Sequence, residues 1–159
     1  MPAVDYFLKL DTISGESKDT NHTGEIQIMS WSWGGSQTSS VAGTGGSGAG
    51  KVSLDHFSIM KTFDKASVPL FKALCGGTHL ATGTFTANKA GTGGKPYLKV
   101  DFKELFVTSI QTSGSSEVPM ESITFSFSEI KVQYSTQDEK GTATLANQFT
   151  YNATKNSIA

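Results

Sequence analysis

Large apolar residues along this chain alternate with polar ones, as half-buried strands require, and then change parity in mid-run. From Tyr97 to Ile110 the apolar positions are Leu98, Val100 and Phe102, but after Glu104 they become Leu105 and Val107. Strand side chains point to opposite faces in strict alternation, so this run buries one face early and the other late. Three other runs do the same. Glu25 to Trp33 passes from Ile26 and Ile28 to Met29, Trp31 and Trp33, and Lys51 to Met60 from Val52 and Leu54 to Phe57 and Ile59. Met120 to Tyr134 passes from Ile123, Phe125 and Phe127 to Ile130, Val132 and Tyr134. Near Met29, either a β-bulge resets the phase or the two ends bury opposite faces. Four such changes imply strands longer than one core needs, each with a stretch turned inward and a stretch packed on a neighbouring subunit.

The remaining segments fit the same class. Val4 to Leu10 and Gly141 to Tyr151 read as the first and last strands, and Leu80 to Asn88 alternates weakly. Asp11 to Gly24 is a long polar loop, and Lys89 to Pro96 a Gly-rich turn. Serine and threonine number 39 among 159 residues, but only four prolines accompany them and sixteen aromatics are spread throughout. That excludes a mucin-like stalk and favours strands. One helix is predicted over Ser67 to Cys75, with Ser67 as N-cap, Pro69 in the first turn, and Gly76 and Gly77 as the stop. Its core face would be Leu70, Phe71 and Leu74. About seven antiparallel strands and one short helix indicate a mainly β barrel or sandwich. With no linker or internal repeat, residues 1–159 read as one domain.

Charge and segment composition narrow the function. All thirteen cations are lysine, and the net charge is −1. A basic stripe and arginine forks are both missing, so nucleic acid is not an expected partner. No run is apolar enough to insert in a membrane. Met1 to Tyr6 lacks the basic and apolar regions of a signal peptide. The chain is therefore expected to fold in the cytoplasm and to leave, if at all, without a cleaved signal. The lone Cys75 suits a reducing compartment.

Chemical motifs are weak throughout. Gly45 to Lys51 reproduces G-x-x-x-x-G-K, but Val52 stands where a phosphate loop needs Ser or Thr, and a strand follows instead of a helix. His22, His56 and His79 lack metal-ligand spacing, and Cys75 reads as a small packing residue. Asp11/Glu16 and Asp138/Glu139 sit in polar loops, and there is no G-x-S-x-G elbow. No catalytic residue, cofactor or metal is expected. Asn21 to Thr23 and Asn152 to Thr154 match glycosylation sequons that would go unused without a signal peptide. Gly34 to Gly50 holds seven glycines, four serines and no charge in seventeen residues, so it is either disordered or an arm that orders against a partner. Trp31 and Trp33, on one face, could stack a sugar or serve as core or interface anchors. With Ser36, Val41, Lys51, Phe57 and Tyr134 they are the candidate structural or interface positions.

Several segments resemble the Hcp family, the haemolysin-coregulated proteins that form the inner tube of bacterial type VI secretion systems. The resemblance lies in Phe7 to Asp11, Gly15-Glu16-Ser17, Asp19, His22, Glu25-Ile26 and Ser30-Trp31-Ser32-Trp33-Gly34. It continues through Asp64 to Ser67, Cys75, Gly77, His79, Pro119 to Glu121, Ile130 and Tyr134. It implies a small antiparallel β-barrel of two sheets with one flanking helix and no catalytic residues. It also implies homo-hexameric rings that stack into a tube, tipped by a spike, propelled by a sheath and carrying effector proteins. The Gly/Ser richness of Gly34 to Gly50 departs from the family, and the lack of a C-terminal extension argues against a fused effector domain. The reading from another class is a secreted carbohydrate-binding β-sandwich using Trp31 and Trp33. A small hydrolase would need a nucleophile and base that the sequence does not offer.

Overall fold

The computed structural model describes residues 4–39, 49–89, 95–137 and 143–159. Its elements run β1 (Val4–Leu10), β2 (Ile26–Ile28), β3 (Ser30–Ser32), β4 (Gly35–Ser39), β5 (Ala49–Leu54) and β6 (Phe57–Thr62). Then come α1 (Ser67–Gly76), β7 (Leu80–Lys89), β8 (Pro96–Ser113), β9 (Met120–Ser126), β10 (Glu129–Gln137), β11 (Ala143–Asn152) and β12 (Ser157–Ile158). All pairings are antiparallel. β1 lies between β2 and β7, and β7 pairs the first half of β8, while the second half of β8 pairs β9, then β6 and β3. Only Met29 separates β3 from β2, so the circuit closes into a barrel of two sheets. Beyond it, β10, β11 and β12 extend the first sheet, and β4 and β5 form a separate hairpin.

The parity changes fall where the chain passes between these sheets. Met29 separates β2 from β3, Asp55-His56 separates β5 from β6, and Phe127-Ser128 separates β9 from β10. Within β8 the passage is at Glu104, whose φ of 52° is left-handed. Each passage spaces successive core-facing residues by three instead of two, as in Ile28/Trp31, Leu54/Phe57, Phe102/Leu105 and Phe127/Ile130. The extra residue at a corner turns the next stretch back toward the same core. The expectation that a subunit contact explains these changes is therefore corrected, because both halves of each run pack inside one chain. Two corners are stitched together where the Ser128 N–H donates to the Lys103 carbonyl at 3.0 Å.

Phe57, Phe85, Phe102 and Phe125 fill the barrel, with the ring of Phe57 4.8 Å from Phe102 and 5.5 Å from Phe85. Residues 11–25 do not wander as a polar loop would. They fold back as a strap, with Gly15 N–H donating to Gly24 O at 2.8 Å and Ser17 N–H to Glu25 O at 3.0 Å. A Cβ on Gly15 would stand 2.5 Å from Glu25 O, so only glycine permits this approach. α1 forms where expected and stops at Gly77, which has φ of 61°. Ala66, not Ser67, is its N-cap, and Ala73 replaces Phe71 on the buried face. Ser67 is diverted into a buried ionic cluster described below. In β11 only Tyr151 reaches the core, while Leu145 and Phe149 stay exposed.

Candidate assembly surface

The two sheets present outward faces of opposite character. On β6, Ser58, Met60 and Thr62 alternate with buried Phe57, Ile59 and Lys61. Across the pairings, their outward neighbours are Ser30 and Ser32 on β3, and Met120, Ser122 and Thr124 on β9. The far half of β8 adds Ser109, Gln111 and Ser113. This face carries hydroxyls, one amide and thioethers, with no charge. The first sheet differs. Lys99, Asp101 and Lys103 alternate with Val100 and Phe102, and Glu129 and Lys131 flank Ile130 on β10. Lys103 pairs with Glu129 at 3.2 Å, and Asp101 accepts a hydrogen bond from Thr84 at 2.8 Å.

Between β4–β5 and β10–β12 runs an apolar groove of about 470 Å³, lined by Trp33, Val52, Leu54, Ile130, Phe149 and Ile158. Phe149 and Ile158 are exposed there.

Two buried polar clusters hold the scaffold. Lys61 is fully enclosed, and its ammonium donates to Glu121 Oε2 at 2.7 Å, Asp64 Oδ1 at 2.8 Å and Ser67 Oγ at 2.9 Å. Ser67 Oγ donates to the same Glu121 oxygen at 2.7 Å, so the helix start is tied to β6 and β9. Ordinarily a buried charge needs this degree of pairing to be tolerated. Beneath the strap, the His22 ring stacks on Phe7 at 4.3 Å. Its Nδ1 lies 3.1 Å from both Glu25 carboxylate oxygens, and its Nε2 lies 2.8 Å from Asn88 Nδ2. These partners account for the histidine as a packing group. The pKa of the Tyr97 hydroxyl is raised above the ordinary tyrosine value, first by burial and then by the nearby Tyr6 and Tyr134 phenols.

The sequence-derived positions do not gather into one site. Trp31 is half-buried, with its ring 4.9 Å from Phe85 and 6.0 Å from Tyr6, so it packs against the aromatic core of the barrel. Trp33 lines the groove instead. Phe57 lies wholly in the core, and Tyr134 is exposed on β10. Ser36 is exposed on β4, and the backbone of Lys51 belongs to β5. Val41 lies outside the described residues, as do most of the G-x-x-x-x-G-K segment and the Asp138/Glu139 pair. The ends of Gly34 to Gly50 are β-paired, Gly35 with Leu54 and Ser39 with Ala49. Cys75 is exposed at the helix end. Among the described residues no cluster of His, Cys, Asp or Glu could hold a metal, and no helix is long and apolar enough to cross a membrane. The Lys61–Glu121 pair escaped sequence reasoning because its partners lie 60 residues apart. The spacing of His22 and Glu25, three apart, was a legible signal for the other cluster.

Comparison with known proteins gives a consistent result. The family described as "Type VI secretion system effector, Hcp" matches residues 7–134. Protein hcp1 of Pseudomonas aeruginosa is 39% identical over 142 residues, covering 87% of this chain and 88% of that protein. A solved structure of a type six secretion system protein superposes with a TM-score of 0.91 at 27% identity, covering 99% of this chain and 100% of its own. Hcp1 from Salmonella typhimurium does so at 0.81 with 32% identity and the same coverage.

Proposed function

Since this chain belongs to the Hcp family of type VI secretion proteins, we propose that residues 1–159 act as one domain, six copies of which close into a ring that stacks on further rings. The role of tube subunit, itself secreted, is that of the family. What supports the geometry of the ring is the contrast between the two outward faces. The uncharged Ser/Thr face lines the lumen, where a neutral, hydrated wall lets effectors of either charge pass. The charged face of β8 and β10 looks outward toward the sheath. The groove beside Trp33 and the exposed Phe149 and Ile158 belong to contacts between copies. Rings assemble in the cytoplasm and are tipped by the spike protein. The subunit performs no catalysis and uses no cofactor.

The test uses assembled tubes of a Cys75→Ser background carrying a new cysteine at Ser122 or at Lys131. A small maleimide should label both, whereas a maleimide attached to a bulky protein should label only position 131. Equal labelling of position 122 by the bulky reagent contradicts the assignment of faces.

A further inference from the structure

Apart from Met1, the chain has three methionines, Met29, Met60 and Met120. All three lie on or beside the uncharged face of the second sheet. Met60 is 44% exposed and Met29 is 57% exposed, and the Met29 N–H donates to the Met60 carbonyl at 2.8 Å. Met120 pairs with Thr62 while Met60 pairs with Ser122, which makes Met60 and Met120 diagonal neighbours on one face. Strands favour β-branched and aromatic residues, so the unbranched thioethers of Met60, exposed on β6, and Met120, half-buried on β9, are not explained by propensity. Nor does the core need them, since Phe57, Ile59, Ile123 and Phe125 already fill the inward side of these strands.

We propose that this methionine band is a contact site for carried polypeptide, gripping uncharged apolar segments of the cargo. The proposal rests on the lumen assignment above. The band's charge character identifies the occupant. With only hydroxyls and an amide around the thioethers, the face offers no ion pair to a charged segment and desolvates none of its own charges against an apolar one. Unbranched, polarisable side chains adjust to apolar partners of varied shape, which suits a wall that meets unrelated sequences. A closed ring repeats the band in every subunit, so individually weak contacts act together on one cargo chain.

The experiment measures binding of a fluorescently labelled, uncharged, leucine-rich peptide to intact rings. It compares the unaltered protein with Met60→Ser/Met120→Ser and Met60→Leu/Met120→Leu. Light scattering confirms ring mass, and the bulky-maleimide assay at position 122 confirms shielding. Met60 is exposed and Met120 half-buried, both on the face of their strands away from the core, so both variants should keep the barrel. The serine variant should bind at least about tenfold more weakly, and the leucine variant within about threefold of the original. A serine variant that binds as well as the original, in intact and shielded rings, overturns the methionine assignment and leaves the lumen assignment standing. A leucine variant as weak as the serine variant also overturns it, since apolar contact would then not be the cause. If position 122 is open to the bulky reagent, the lumen assignment fails and this inference falls with it.

Discussion

Replacing Lys61 by methionine tests how the helix is fastened to the barrel. In the native protein the Lys61 ammonium meets Glu121, Asp64 and Ser67 at 2.7, 2.8 and 2.9 Å. Glu121 is 2% exposed, and its other oxygen accepts from Thr112 at 3.3 Å. Lys61→Met fills the stem volume but strands a buried carboxylate, a change that costs about 3–5 kcal/mol. Glu121→Gln should cost less, about 2–3 kcal/mol, because Asp64 remains beside the ammonium. Total stability of a domain this size is roughly 5–15 kcal/mol, so either loss is a large fraction of it. Lys61→Met/Glu121→Leu removes both charges and should be milder than the sum of the singles by at least about 1.5 kcal/mol. Urea denaturation followed by tryptophan fluorescence reads these values from the midpoint, with the slope unchanged. The reasoning is refuted if Lys61→Met stays within about 0.5 kcal/mol of the original protein, or if the double variant equals the sum of the singles.

Gly15→Ala should displace the strap, since its Cβ would meet the backbone of Glu25 and Ile26. A loss of about 2–3 kcal/mol, with faster hydrogen exchange around His22, is expected in proteolysis and exchange measurements. At the β8 corner, Glu104→Val should cost about 1–2 kcal/mol because its backbone is left-handed, whereas Glu104→Gly should stay within about 1 kcal/mol of the original. Thermal melts of the pair decide this, and equal effects would contradict a backbone cause. Trp31→Ala opens a gap against Tyr6 and Phe85 and should lower stability by about 2–4 kcal/mol in the same melts. A fully stable variant that lost glycan binding would instead support the carbohydrate-binding reading.

Much of the fold was legible because alternation and breakers are local signals. β1, the helix body and its Gly77 stop appear where the pattern puts them. The parity changes were visible too, but their cause was not. An extra residue that turns a corner within one barrel and a face that packs on another subunit leave the same sequence trace. Only the pairing of β8 with β7 and β10 before Glu104, and with β9 after it, separates the two. Ser67 looked like a cap because cap propensity is local, whereas the partner that claims its hydroxyl, Glu121, arrives from β9. The Ser/Thr richness and near-neutral charge of the chain were legible as composition. The sorting of its surface into one neutral and one charged face depends on which strands share a sheet, which no single strand reveals.

The central claim is that this chain closes on copies of itself into a six-membered ring. The direct measurement is its mass by multi-angle light scattering in dilute solution. Six copies of the 16.9 kDa chain predict a species of about 101 kDa. A stable species of 16.9 kDa at micromolar concentration would contradict the claim.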